Sequence, residues 1–244
     1  MPPPPLQVIA HRGASAYAPE NTWASFDLAL QIGADAIETD VRATNDGRLV
    51  LLHDASLDRT TNGHGPVKDA PWELVAALDA GAWFNPRFAG QRVPLLEPTL
   101  ARYAPHVHFA IEIKQPGIEA AVLAAIRDSC ARATVTAFKF ETLLDVRRLD
   151  PAIAAGLLTT DISDANITRV AQAGLSQFCP HAKLVNPGLV QRLKNLGLSV
   201  RAWGVGTPEL MRQAIDAGVD GMTTNWPDQL LTALGRPAGP IALA

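Results

Sequence analysis

Short β-branched runs alternate with alanine- and leucine-rich stretches along almost the whole chain, and this alternation limits the fold more than any other feature. Strand-like runs fall at 8–10, 36–42, 107–113, 134–137, 154–158, 177–179, 199–202 and 221–224. Helical stretches fall at 22–32, 99–103, 118–130, 141–149, 163–173, 187–196, 208–217 and 228–234. Strands that alternate with helices build parallel sheets. Eight such units in 244 residues predict an α/β fold, the (β/α)8 TIM barrel. Pro187 and Pro208 suit first helical turns. Gly33, Gly174, Gly197 and Gly218 suit helix C-termini. An open doubly wound sheet is the alternative, but Gly204-Val205-Gly206 is followed by Glu209 where a dinucleotide fingerprint needs its third glycine.

An internal echo supports the barrel. ALQIGADAIETD (29–40) aligns with AIDAGVDGMTTN (214–225), and VAQAGLSQFCPH (170–181) follows the same frame more loosely. The frame puts Asp40, His181 and Asn225 at the C-terminal ends of strands, the end of a barrel that carries chemistry. One segment, 44–94, interrupts the alternation. Asp46-Gly47 marks a hairpin between two apolar runs, and a loop-rich piece with a short helical pattern at 71–78 follows. It reads as an excursion over the barrel mouth, so residues 1–244 are expected to form one domain with an insertion.

Composition removes several functions. A net charge of −3 gives no overall pull toward nucleic acid or anionic lipid. Apolar residues make up 48% of the chain, enough for a sizeable core, yet no apolar run reaches membrane-spanning length. Cys130 and Cys179 form no disulfide framework and are expected to be buried thiols in a reducing compartment. The N-terminus lacks the basic and apolar regions of a signal peptide, so the expected location is cytoplasmic.

The chemistry concentrates at predicted strand ends. Glu38 and Asp40 stand two apart on one strand and therefore point the same way. Burying two unpaired carboxylates together is costly, so a positive partner is expected between them. Glu112 and Lys114 share a face of the next barrel strand. Three inward carboxylates form an oxygen cage suited to a hard divalent cation, Mg²⁺ or Ca²⁺, better than to zinc. His11 ends the first strand and His53 ends the hairpin strand, so two imidazoles flank this cage and can divide proton transfer between them. Arg12 and Lys114 add cationic donors for an anionic oxygen. Such a set fits an anionic ester, most simply a phosphodiester. Asn21 reads as a helix N-cap, and Glu20 receives no catalytic role. Trp203 reads as an apolar wall or a packing residue, and His181 as a further group at the mouth.

HRGASAYAPENTWASFDLAL, GADAIETDVRATNDGRLVLLHDASLDRTTNGHG, VPLLEPTL, FAIEIK, RAWGV and AGVDGMTTNWP together resemble the glycerophosphodiester phosphodiesterases, from about residue 11 to 227. The resemblance implies a barrel with a small insertion after the second strand. It implies cleavage of a small-molecule glycerophosphodiester to sn-glycerol 3-phosphate and an alcohol. It also implies His11 and His53 as acid and base, Glu38, Asp40 and Glu112 as metal ligands, Arg12 and Lys114 at the phosphate, and Trp203 at the substrate. Asn225 stands where that family often has Asp, and Gly204 where it often has Thr. Two rivals are weighed: a lysophospholipase D-like enzyme with Trp72, Trp83, Phe84 and Phe88 as an acyl-chain rim, and a non-catalytic polyol-phosphate-binding barrel.

Overall fold

The computed structural model describes residues 5–241. Eight parallel strands run in the order β1 (Gln7–His11), β2 (Ala36–Ala43), β4 (His108–Ile113), β5 (Ala133–Ala137), β6 (Ala154–Thr159), β7 (Gln177–Pro180), β8 (Ser199–Ala202) and β9 (Gly221–Thr224). Pairing of β1 with both β2 and β9 closes them into a barrel. Strand β3 (Leu49–Leu51) pairs antiparallel with β2 through the expected hairpin, with Gly47 at a φ of +80°. Helices follow each strand as the alternation requires: α1 (Trp23–Ile32), α3 (Leu96–Tyr103), α4 (Glu119–Asp128), α5 (Phe140–Leu149), α6 (Asp164–Gln172), α7 (Pro187–Asn195), α8 (Pro208–Ala217) and α9 (Pro227–Ala233). The short α2 (Trp72–Ala77) belongs to the excursion. None of the described helices is long and apolar enough to cross a membrane.

Local chemistry explains the helix ends. Pro187 and Pro208 open α7 and α8, where Asn186 Oδ1 accepts the Leu189 N–H and Thr207 Oγ1 accepts the Leu210 N–H. Gly33 and Gly218 close α1 and α8 in the left-handed conformation, with φ of +94° and +78°. The internal echo has a shared structural purpose. Asp35 accepts the Val8 N–H of β1 at 2.8 Å, and Asp220 accepts the Val200 N–H of β8 at 2.8 Å. Each carboxylate satisfies a donor at the start of a neighbouring strand.

Two expectations change. Asn21 is not the α1 cap: Thr22 Oγ1 accepts the Ser25 N–H instead, and Asn21 turns inward at a φ of +55°. Cys179 is buried, but Cys130 is exposed. Helix α4 ends at Asp128, and Cys130 sits two residues beyond it at a φ of +52°, which swings its side chain off the packed stripe.

The main apolar core lies between the strands' outward faces and the helices, with Phe26, Ile37, Phe109, Ile111, Val135, Leu157, Phe178, Val200 and Met222 among its members. Inside the barrel, Ile9, Ala36 and Ala110 form only a small apolar cluster. The remaining axial positions are largely polar, including His108, Thr134, Cys179, Arg201 and Thr223, where aliphatic layers are usual. The excursion packs its own core from Val50, Leu52, Leu57, Val67, Val75 and Val93.

Candidate active site

The barrel register assembles the acidic trio. His11 pairs with Glu38 across β1 and β2, and Asp40 pairs with Glu112 across β2 and β4. All four therefore project inward near the strands' C-terminal ends. Glu38, Asp40 and Glu112 are buried, and one ligand oxygen from each lies within 4.8 Å of the others. Burial, then Asp40 and Glu112, pushes the Glu38 carboxyl well above its usual pKa. Burial and Asp40 likewise raise Glu112. Asp40 moves the other way, because Arg12 and Lys114 outweigh its desolvation. Its Oδ1 has no hydrogen-bond partner among the described residues. A trio that mutually disfavours its own ionisation, with an orphaned buried oxygen, fits a hard divalent cation held by carboxylates.

Cations already crowd the trio. Arg12 Nε lies 3.1 Å from Asp40 Oδ2, and its Nη1 donates to Glu20 Oε1 at 2.8 Å. Lys114 Nζ donates to Glu112 Oε1 at 2.7 Å and lies 3.6 Å from Asp40 Oδ1. Arg12 follows β1 with a φ of +58°, and Gly13 follows it at +81°. A Cβ at Gly13 would sit 2.4 Å from Ser25 Oγ, so this tight turn admits no side chain there. The turn also aims the Arg12 N–H at Glu38 Oε2, 3.1 Å away.

Each imidazole has one nitrogen engaged. His11 Nδ1 bonds Asn225 Oδ1 at 2.6 Å, while Nε2 lies 3.9 Å from Glu38 Oε2. Burial, then Arg12, lowers the His11 pKa to about 4. His53 Nδ1 bonds Asp54 Oδ1 at 2.6 Å. Burial lowers the His53 pKa as well, and the pull of Asp40 and Asp54 offsets only part of it. Arg42 clamps the His53 carbonyl oxygen with Nε at 2.9 Å and Nη2 at 2.7 Å. The bonds at Nδ1 leave Nε2 of each ring as the working nitrogen.

A cleft of about 300 Å³ unites these groups, walled on one side by His11, Glu38, His53, Glu112 and Lys114 and on the other by Phe138, Leu158, Trp203, Val205 and Asn225. Trp203 lines the cleft, with its indole N–H on Cys179 O at 3.0 Å and Phe138 edge-on at 5.0 Å. His181 does not join that lining. It caps the turn after β7, accepts the Lys183 N–H at Nδ1, and stacks edge-on behind Trp203 at 4.6 Å. The echo places His181 at the mouth correctly in height, but the turn directs its ring behind the wall. Of the acyl-chain rim, Trp83, Phe84 and Phe88 pack edge-on in series at 5.7 Å each, with Phe88 buried and Trp83 exposed, while Trp72 packs against the excursion's own core.

Sequence reasoning missed four partners. Asn21 donates Nδ2–H to Asp40 Oδ2 at 2.9 Å and accepts from Thr39 Oγ1 at 2.8 Å, which fixes the Asp40 carboxylate. Asn225 was placed at a strand end by the echo and noted as a family departure but not linked to His11, and Asp54 was given no role. Arg201 is 2% exposed at the cleft floor, donates to Thr223 Oγ1 at 3.2 Å, and leaves Nε and Nη2 without partners among the described residues. Its place on β8 two residues before Trp203, and so on the same inward face, was the available signal.

Residues 11–229 match the Glycerophosphoryl diester phosphodiesterase family. The chain belongs to that family. It is 38% identical over 237 residues to the glycerophosphodiester phosphodiesterase of Caldanaerobacter subterraneus, covering 94% of this chain and 98% of the relative. A Bacillus subtilis glycerophosphodiester phosphodiesterase is 34% identical over 250 residues, covering 93% of this chain and 85% of the relative. Among solved structures, the glycerophosphodiester phosphodiesterase from Agrobacterium tumefaciens superposes with a TM-score of 0.85 at 33% identity, covering 94% of this chain and all of that one. An Oleispira antarctica phosphodiesterase in complex with the product sn-glycerol-3-phosphate superposes with a TM-score of 0.87 at 28% identity, covering 94% and 96% of the two chains. Members of this family are phosphoric diester hydrolases, and this chain is an enzyme of that class with the family's TIM barrel.

Proposed function

We propose that the chain cleaves glycerophosphodiesters to sn-glycerol 3-phosphate and an alcohol, with His11 and His53 as its acid–base pair. One observation carries this reading: two imidazoles border one buried trio of carboxylates, and each has its Nδ1 bonded to a side-chain oxygen. Simple binding of a polyol phosphate has no use for that pairing. The Oleispira antarctica phosphodiesterase with its product supports glycerol 3-phosphate as the retained half of the substrate.

Glu38, Asp40 and Glu112 would hold the metal, and their all-oxygen chemistry favours Mg²⁺ or Ca²⁺. A bound divalent ion supplies charge neutralisation at a phosphoryl oxygen and orientation of the attacking hydroxyl. Arg12 and Lys114 bind the remaining phosphate charge. One histidine takes the proton of the attacking oxygen as the new P–O bond forms. The other, entering the step as the imidazolium, gives its Nε2 proton to the leaving alkoxide as the old bond breaks, so the pair ends with its protonation exchanged. Phe138 and Trp203 exclude water from the far wall. Residues 44–94 act as an insertion at the mouth of one catalytic domain.

A panel of glycerophosphodiesters with different head groups tests this reading, assayed with EDTA and then with Mg²⁺ or Ca²⁺ restored. Release of sn-glycerol 3-phosphate that stops with EDTA and returns with metal is the expected result. Turnover of lysophosphatidylcholine in preference to every glycerophosphodiester would move the chain to lysophospholipid substrates.

A further inference from the structure

Resting on that phosphodiesterase reading, we propose that Arg59 of the excursion is a positioning residue for both halves of the site. Through Asp54 it orients His53, and through Glu20 it orients Arg12.

The Arg59 guanidinium is shared between two carboxylates. Nη1 and Nη2 donate to Glu20 Oε2 and Oε1, each at 2.8 Å. Nε donates to Asp54 Oδ2 at 2.6 Å, and Nη2 donates to Asp54 Oδ1 at 3.1 Å. Each carboxylate then holds a cleft residue. Asp54 Oδ1 bonds His53 Nδ1 at 2.6 Å, and Glu20 Oε1 accepts from Arg12 Nη1 at 2.8 Å. Arg12 in turn reaches Asp40. A continuous chain of charged bonds thus runs from one imidazole, through the excursion, to the guanidinium beside the acidic trio. Glu20 and Asp54 come from separate parts of the chain, before α1 and after β3, and Arg59 is the group that joins them.

The geometry argues for positioning more than for stability. The Arg59 side chain is 43% exposed, and ion pairs so open to water add little to folding free energy. Without Arg59, Asp54 keeps only its bond to His53 and is free to rotate toward solvent. Small displacements of a proton-transfer group cost rate steeply. A lysine reaches one carboxylate or the other, because its ammonium lacks the planar fork. His53 and Arg12 serve different steps, so the two arms predict separable effects: proton transfer through Asp54, phosphate binding through Glu20.

The test compares wild type with Arg59→Met, Arg59→Lys, Asp54→Asn, Glu20→Gln and Arg59→Met/Asp54→Asn. Three readouts are taken on the full chain: kcat and KM on glycerophosphocholine, calorimetric affinity for sn-glycerol 3-phosphate, and thermal midpoint. Arg59→Met should lower kcat on the order of tenfold and weaken sn-glycerol 3-phosphate severalfold, with the thermal midpoint within a few degrees of wild type. Arg59→Lys should recover only part of either loss. Asp54→Asn should reproduce the kcat loss, Glu20→Gln the affinity loss, and the double variant should lose little more kcat than Asp54→Asn alone. Wild-type kcat and affinity in Arg59→Met, or losses that add fully in the double variant, would overturn the proposal. A wild type that releases no glycerol phosphate from any diester would instead overturn the functional reading. In that event the effect of Arg59→Met on sn-glycerol 3-phosphate affinity decides the Glu20 arm by itself.

Discussion

Asn225 Oδ1 and His11 Nδ1 meet at 2.6 Å across the junction of the last and first barrel strands. The amide accepts the ring N–H, sets the tautomer, and adds no charge. A carboxylate in the same place would stabilise the imidazolium. Asn225→Asp should therefore raise the His11 pKa from about 4. Whichever limb of the pH–rate profile His11 governs should move to higher pH, read from kcat/KM between pH 4 and 9. Asn225→Leu, which removes the acceptor, should lower kcat on the order of tenfold or more.

His11→Ala and His53→Ala should each lower kcat on the order of 10²-fold or more. Neither ring anchors the apolar core, so both variants should fold and keep their affinity for divalent metal. Steady-state rates beside metal titrations separate this from general damage. Near wild-type turnover in either variant removes that histidine from proton transfer.

Metal should stabilise the fold by mass action, about 2.7 kcal/mol at a concentration 100 times its dissociation constant. The thermal midpoint of wild type should rise with added Mg²⁺ or Ca²⁺ and fall back with EDTA. Glu112→Gln and Asp40→Asn should show little or no rise. Scanning calorimetry over a metal titration checks this, and an equal rise in the variants would place the ion elsewhere.

Gly204 has a φ of +70°, and a Cβ there would lie 2.5 Å from His181 Nε2. The ring that backs Trp203 occupies the space a side chain would need. Gly204→Ala should cost about 1–3 kcal/mol from backbone strain alone, with the displaced Trp203 raising KM. Pairing it with His181→Ala should recover KM more than stability, since the strain at φ remains. Thermal melts and substrate saturation curves for the single and double variants test this.

The His108 pKa is also lowered to about 4, first by burial and then by Arg132 and Arg201. An unfolded chain protonates histidine from about pH 6.5 downward. Between about 6.5 and 4 the unfolded state binds more protons at this position, so its contribution to stability falls as pH falls. Glu38 acts in the opposite sense, because its raised pKa makes the folded state the better proton acceptor. The difference between wild type and His108→Gln isolates the histidine. In EDTA, wild type should lose more stability than the variant across that window, measured by urea melts at stepped pH.

Much of the site could be read one residue at a time. Strand phase put Glu38, Asp40 and Glu112 on inward faces, because side chains two apart share a face whatever the surroundings. Strand-end position pointed to His11 and His53 in the same way. Asn21 and Cys130 went wrong because helix ends are decided by competition among neighbours: Thr22 took the cap, and α4 stopped before Cys130. His181 was placed at the right height on the barrel and turned the wrong way, since the turn after β7 sets its ring direction.

By itself the sequence determined the alternation, and with it the barrel, the inward parity of the acidic residues and the chemical class of the site. Those are local properties, set by strand period and residue type. Only the tertiary structure decided which side chain answers which. Asn225 reaches His11 because closure brings the ninth strand against the first. Arg59 reaches Glu20 from 39 residues away because the loop after β3 folds back against the turn before α1. Arg201 lies beneath the trio because the barrel's axis is polar there. Partnerships of that kind depend on register, closure and loop path, none of which has a signature in the spacing of residues along the chain.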